Sequence, residues 1–115
     1  MSDSEELSDK ACIPCEKGGD PLATDVARDM LAQLADGWEF SSDGNSLRRK
    51  YSFKGYAKPV YIANAAAFLA DQQGHHPDVR FGWGYCEIEF TTHAIGGLSE
   101  NDFICAAKLD QITAT

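Results

Sequence analysis

Tyr85-Cys86-Glu87-Ile88-Glu89-Phe90-Thr91-Thr92-His93 is the stretch that decides the fold. Side chains along a strand alternate between two faces, so Cys86, Ile88, Phe90 and Thr92 share one side and Glu87, Glu89, Thr91 and His93 the other. An apolar row backed by a carboxylate row describes an antiparallel strand over 85–92 with one covered and one solvated face. Gly84 sets it in a hairpin with a strand at 78–83. A second hairpin lies upstream. Trp38-Glu39-Phe40 begins a strand, Asp43-Gly44-Asn45 turns the chain, and Leu47, Tyr51 and Phe53 lie on the returning strand.

The covering elements are helices. Val26, Met30, Leu31 and Leu34 recur at helical spacing, which predicts a helix over 24–35 stopped by Gly37. A second helix is predicted over 57–73. Pro59 fits its first turn, Val60, Ile62, Ala66, Phe68 and Leu69 supply an apolar face, and Gly74 is placed to end it. Ser99-Glu100-Asn101-Asp102 is a capping-box variant opening a last helix to about 112. The order α-β-β-α-β-β-α gives an α+β single domain over 21–115, a four-stranded antiparallel sheet with helices packed on one face. Residues 1–20 are acidic, polar and Gly-containing, and are expected to be a flexible segment.

The totals exclude several classes. The chain has 115 residues and a formal net charge of -8. Nucleic-acid backbones call for clustered Lys and Arg, so this balance argues against them. Leu47-Arg48-Arg49-Lys50 is a small basic run that a solvated strand face accounts for. No apolar stretch approaches the ~20 residues that span a bilayer, and Met1-Ser2-Asp3-Ser4-Glu5-Glu6 lacks the basic start and apolar core of a signal peptide. A cytoplasmic protein with reduced cysteines is expected. Cys12-Ile13-Pro14-Cys15 is a lone CxxC without a second pair for zinc and without the strand-to-helix setting of a redox motif, so no catalytic role is assigned to it. Cys86 and Cys105, each among apolar residues, read as small buried hydrophobes.

The chain's three histidines lie close together in sequence, at His75, His76 and His93. Imidazole titrates near neutral pH and moves protons readily. A bland reading makes His75 and His76 a polar helix exit bonded to nearby backbone, and puts His93 on the exposed sheet face. A metal reading needs three rings on one ion, whereas adjacent side chains diverge in extended structure. The acid–base reading rests on placement. The pair follows a helix stop, His93 ends a strand before Gly96-Gly97, and Pro77 stiffens the chain after His76. Asp71 lies one turn before His75 and can orient an imidazole or simply face solvent. Asp102, third in its helix, reads first as a cap, with support of the site as a second role. The residues alone suggest proton transfer on a small, uncharged substrate.

Asp71-x-x-x-His75-His76-Pro77, an aromatic in the next strand, Thr92-His93 and Gly97-Leu98-Ser99-x-x-Asp102 together resemble the signature of the pterin-4a-carbinolamine dehydratases. The element order matches as well, over residues 22–112. The segment Cys12-Ile13-Pro14-Cys15 before Pro21-Leu22, and the run Asn101-Asp102-Phe103-Ile104, resemble bacterial members. The resemblance implies a dehydratase that removes water from a 4a-hydroxytetrahydropterin and recycles the pterin of an aromatic amino acid hydroxylase, without metal or other cofactor. It implies His75 and His93 as the acid–base pair, with His76 binding the pterin. Backbone around His75, His76 and Pro77 and from Thr92 through His93 and Ala94 to Ile95 would hold the substrate, with Asp71 and Asp102 in support. It further implies a homodimer or homotetramer. Gly74, Asn101 and Val79 depart from animal relatives, which carry an acidic residue, Arg and Trp there; this touches pocket shape and leaves the three histidines intact. Two alternatives stand beside it: a pterin-binding member in molybdenum-cofactor metabolism, and a non-enzymatic dimerisation or coactivator protein.

Overall fold

The computed structural model describes residues 6–13 and 19–114. Helix α1 spans Thr24–Leu31, strands β1 and β2 span Trp38–Phe40 and Leu47–Ser52, and helix α2 spans Ala57–Gln73. Strands β3 and β4 follow at Asp78–Gly82 and Tyr85–Phe90, and helix α3 spans Glu100–Thr113. The sheet runs β1-β2-β4-β3, every pair antiparallel. This is the expected α+β architecture. Among the described residues, no helix is long and apolar enough to cross a membrane.

The alternation in β4 does what it predicts. Cys86, Ile88 and Phe90 are fully buried and join Leu47 and Tyr51 of β2 in the core. Ala66 and Leu69 of α2 and Phe103, Cys105, Ala106 and Leu109 of α3 close over them. Burying one such large apolar side chain contributes roughly 1.5–3 kcal/mol. The opposite face carries charge rows in register. Arg48 sits across from Glu89 and Lys50 across from Glu87 on one side of β4. On the other side Arg80 bonds both glutamates. The basic run at 47–50 is therefore a strand face, with one departure. Arg49 points to the helix side, donates to Asp110 at 2.9 Å and lies over the Tyr51 ring at 4.4 Å. Asp110 also accepts from Trp38 Nε1 and the Ala35 amide.

Three expectations shift. Helix α1 ends at Leu31, and the chain then turns so that the Ala35 amide reaches Asp110 at 2.9 Å. Strand β4 ends at Phe90 because both threonines leave the ladder. Thr91 Oγ1 donates to the Asn45 carbonyl at 2.5 Å, and Thr92 pairs with Gly97 across a short loop. Residues 6–13, placed by sequence in a flexible segment, pack against the domain. Leu7 is buried in the core within a short 3-10 turn, Leu7–Asp9. Lys10 pairs with Glu100, and Ile13 bonds Asn101. Their partners lie about ninety positions away, beyond the reach of any local pattern. Pro14 and Cys15 of the CxxC lie outside the described residues.

Candidate active site

The site begins where α2 stops. Gly74 takes the left-handed conformation at φ 67° and its amide closes on Ala70 at 2.8 Å. A side chain at this φ is strained, so glycine suits the position. The reversal directs His75 back toward α3, where its Nε2 lies 2.6 Å from Asp102 Oδ1. The imidazole stacks over Phe90 at 6.2 Å and is largely covered, its side chain only 13% exposed.

Asp102 is fully buried, which for a carboxylate demands partners. It has three. Besides His75, the Thr92 hydroxyl donates to Oδ2 at 2.8 Å and the Ser99 amide donates to Oδ2 at 2.9 Å. Ser99 and Asp102 form a reciprocal capping box at the start of α3, where the helix dipole favours negative charge. Both roles read from sequence for Asp102 are thus filled by one side chain. Burial opposes the charged form of His75, but the Asp102 hydrogen bond and charge outweigh it, and the pKa lies above its ordinary value near 6.5. The ring tends to hold its proton, with Nε2–H donating to the carboxylate. Nδ1 is left as the nitrogen for exchange.

His76 points the other way. Its Nε2 meets Asp71 Oδ1 at 3.3 Å in an exposed pair. Asp71 therefore accompanies His76, and the His75 partner is Asp102. His93 starts a short 3-10 turn, His93–Ile95, that Gly96 ends at φ 69°. It stands exposed in the Thr92–Gly97 loop and no longer on the sheet face.

His75, His76, Thr92, His93 and Ala94 line one open cleft of about 570 Å³, a size within the range of small-molecule sites. Pro77 and Ile95 are not on its wall. Cys12, Ile13, Gln73, Gly74, Thr91 and Asn101 complete the lining; sequence reasoning tied Gly74 and Asn101 to pocket shape and assigned Cys12, Ile13, Gln73 and Thr91 no place in the site. The strap at Cys12 and Ile13 is clamped on two sides. The Cys12 amide donates to Gln73 Oε1 at 2.9 Å, and Asn101 takes the Ile13 amide at 3.1 Å and returns a bond to its carbonyl at 2.5 Å. A hint lay in the position of Gln73 and Asn101, each one residue from Gly74 or Asp102. Nothing local points to the strap. Among the described residues, no three His, Cys, Asp or Glu converge in a way that could hold a metal.

A buried imidazole–carboxylate pair, two further imidazoles and a cleft of this size can give and take protons on a bound small molecule. Comparison with known proteins agrees with the signature. The model of the family described as pterin 4 alpha carbinolamine dehydratase matches residues 20–112. A protein of Nitrosomonas eutropha, provisionally named pterin-4-alpha-carbinolamine dehydratase, is 48% identical over 107 residues, 93% of each chain. One from Legionella pneumophila (strain Corby) with the same provisional name is 41% identical over 93% of this chain and 95% of its own. The fold matches a Brucella melitensis structure described as a transcriptional coactivator/pterin dehydratase, with TM-score 0.75 and 24% identity over 83% of this chain and all of the other. A pterin dehydratase-like protein identified as a RuBisCO assembly factor in the alpha-carboxysome gives TM-score 0.57 at 25% identity, over 69% of this chain and 92% of that one. By the match of its sequence along nearly the whole length, this chain belongs to the pterin 4 alpha carbinolamine dehydratase family.

Proposed function

We propose that the cleft removes water from a 4a-hydroxytetrahydropterin to give the quinonoid dihydropterin. A proton reaches the 4a-hydroxyl as the C4a–O bond breaks, and the N5 proton leaves as the N5–C4a double bond forms. The sum is loss of one water, with no oxidant or reductant. Groups that titrate near neutrality serve both transfers. His75 is the acid: its carboxylate partner favours the protonated ring, and Nδ1 delivers the proton. His93, exposed on the wall of the same cleft, takes the N5 proton. His76 holds the pterin, with backbone from Thr92 to Ala94 at its polar edges. Asp102 sets the tautomer and angle of His75, and Asp71 steadies His76.

The observation that carries this reading is the His75–Asp102 pair opening onto a cleft shared with His76 and His93. The capping role accounts for Asp102 by itself but does not call for an imidazole partner opening onto a cleft, so catalysis is favoured. The protein would work as a homo-oligomer in the cytoplasm and recycle the pterin of an aromatic amino acid hydroxylase. The test is the dehydration rate of a synthetic 4a-hydroxytetrahydropterin. His75→Ala and His93→Ala are each expected to slow it by about 10²–10⁴-fold. Wild-type rates in both variants defeat the assignment.

A further inference from the structure

Two sulfurs meet at the back wall of the cleft. Cys12 Sγ lies 3.5 Å from Cys105 Sγ and 3.7 Å from the Asn101 carbonyl. The contact is held on both sides. Cys105 sits fully buried within α3, and the Cys12 amide is bonded to Gln73 while Ile13 is clamped by Asn101. Access is asymmetric. Cys12 lines the cleft and is half-buried, whereas Cys105 is fully buried and does not line it.

We propose that Cys12 is a thiol-oxidation site for small hydroperoxides and that Cys105 is its resolving thiol. In the first step the Cys12 sulfur attacks the peroxide. The O–O bond breaks, an S–O bond forms, and the alcohol or water product leaves with the thiol proton. Cys12 is then a sulfenic acid. In the second step the Cys105 sulfur displaces the hydroxyl. The S–O bond breaks, the S–S bond forms, and water leaves with the Cys105 proton. Two thiols lose two electrons in all, and one peroxide gains them.

The electrostatics suit this order. A hydrogen bond from Cys105 and the nearby His75 charge hold the Cys12 thiol below its ordinary pKa against the opposing effect of burial. That same bond and burial push Cys105 up. A half-buried thiol whose ionisation is favoured, beside one whose ionisation is disfavoured, is the arrangement of redox-sensing cysteines. The sulfurs must close from 3.5 Å to a bond of about 2.05 Å. Cys105 is fixed in a packed helix, so the strap makes the movement. Cys86 is an internal control: fully buried in β4, with its thiol pushed by burial up to about 11.

The test treats the reduced full-length protein with a few equivalents of hydrogen peroxide, then alkylates and maps peptides. Expected is a loss of about 2 Da, the two thiol hydrogens. A Cys12–Cys105 linked peptide should appear, with at least about tenfold less labelling of Cys12, reversed by dithiothreitol. In Cys105→Ala the same dose should leave a Cys12 sulfenic acid that dimedone traps. Should that variant fail to fold, Cys105→Ser and the wild-type peptide map decide. The Cys15→Ser variant should cross-link as wild type does. Full labelling of Cys12 after peroxide, or a bond from Cys12 to Cys15 in place of Cys105, overturns the proposal. None of these readouts involves pterin turnover, so the oxidation site and the dehydratase reading fail separately.

Discussion

Asp102→Asn preserves the shape of a fully buried side chain and removes its charge. Three donors now end on that carboxylate: His75 Nε2, the Thr92 hydroxyl and the Ser99 amide. A hydrogen bond to a charged group contributes roughly 1.5–3 kcal/mol and a neutral one roughly 0.5–1.5. The Asn amide keeps one acceptor oxygen and sets an NH2 where the other stood, so the donors at one position keep a weaker bond and those at the other lose theirs, at a cost of about 3 kcal/mol or more when His75 is protonated. The cost depends on pH with a definite sign. Folding raises the His75 pKa. Its pairing thus stabilises the fold fully below the unfolded value near 6.5, and that contribution disappears as pH rises through the raised folded value. Without the carboxylate, burial becomes the dominant influence on the ring, and charging it at acid pH becomes unfavourable. Denaturant unfolding should show a loss of about 3 kcal/mol or more near pH 6, shrinking as pH rises through the raised folded value. Turnover should fall about 10²–10⁴-fold, since His75 loses both its proton and its angle. A destabilisation that is the same below and above the folded His75 pKa refutes the reasoning, because it means that His75 is not the charged partner.

Other perturbations separate chemistry from scaffold. His93→Ala removes an exposed ring and should leave unfolding free energy within about 0.5 kcal/mol of wild type while turnover collapses. Gly74→Ala meets no atom within 4 Å of the new Cβ, so its expected cost of about 1–2 kcal/mol is backbone strain at φ 67°; calorimetry showing no loss contradicts the left-handed stop. Asp110→Ala strands the Trp38 indole, the Arg49 guanidinium and the Ala35 amide together, and should cost about 2–4 kcal/mol in denaturant titration. Asn101→Ala unclamps Ile13 and should raise KM for the pterin more than it lowers kcat, a split that steady-state kinetics reads directly.

Much of the architecture was legible because its signals are local. The alternation of Cys86, Ile88 and Phe90 set the buried face, and Gly74 and the Ser99–Asp102 box marked a helix end and a helix start in the right places. The three histidines, read as a possible shared cleft, do line one. What escaped was decided at long range. Asp71 meets His76 because the Gly74 reversal turns His75 away from α2 and toward α3, a rotation that spacing along α2 does not contain. The threonines that look like the end of β4 have hydroxyls bound to Asn45 and Asp102, so the ladder stops early. Leu7, Cys12 and Ile13 sit in a polar stretch that looks unstructured, and their partners in α3 lie some ninety residues on.

The double duty of Asp102 ties the proposed dehydration to the folding of the chain. One carboxylate caps α3, joins Thr92 to Ser99 and holds the His75 imidazole, so selection for a stable fold alone preserves it. The exposed rings of His76 and His93 enjoy no such protection. A lineage that gives up the reaction and keeps the scaffold for another purpose should therefore lose those two histidines first and Asp102 last. Counting which of the four residues survive in a relative thus distinguishes a retired enzyme from a working one.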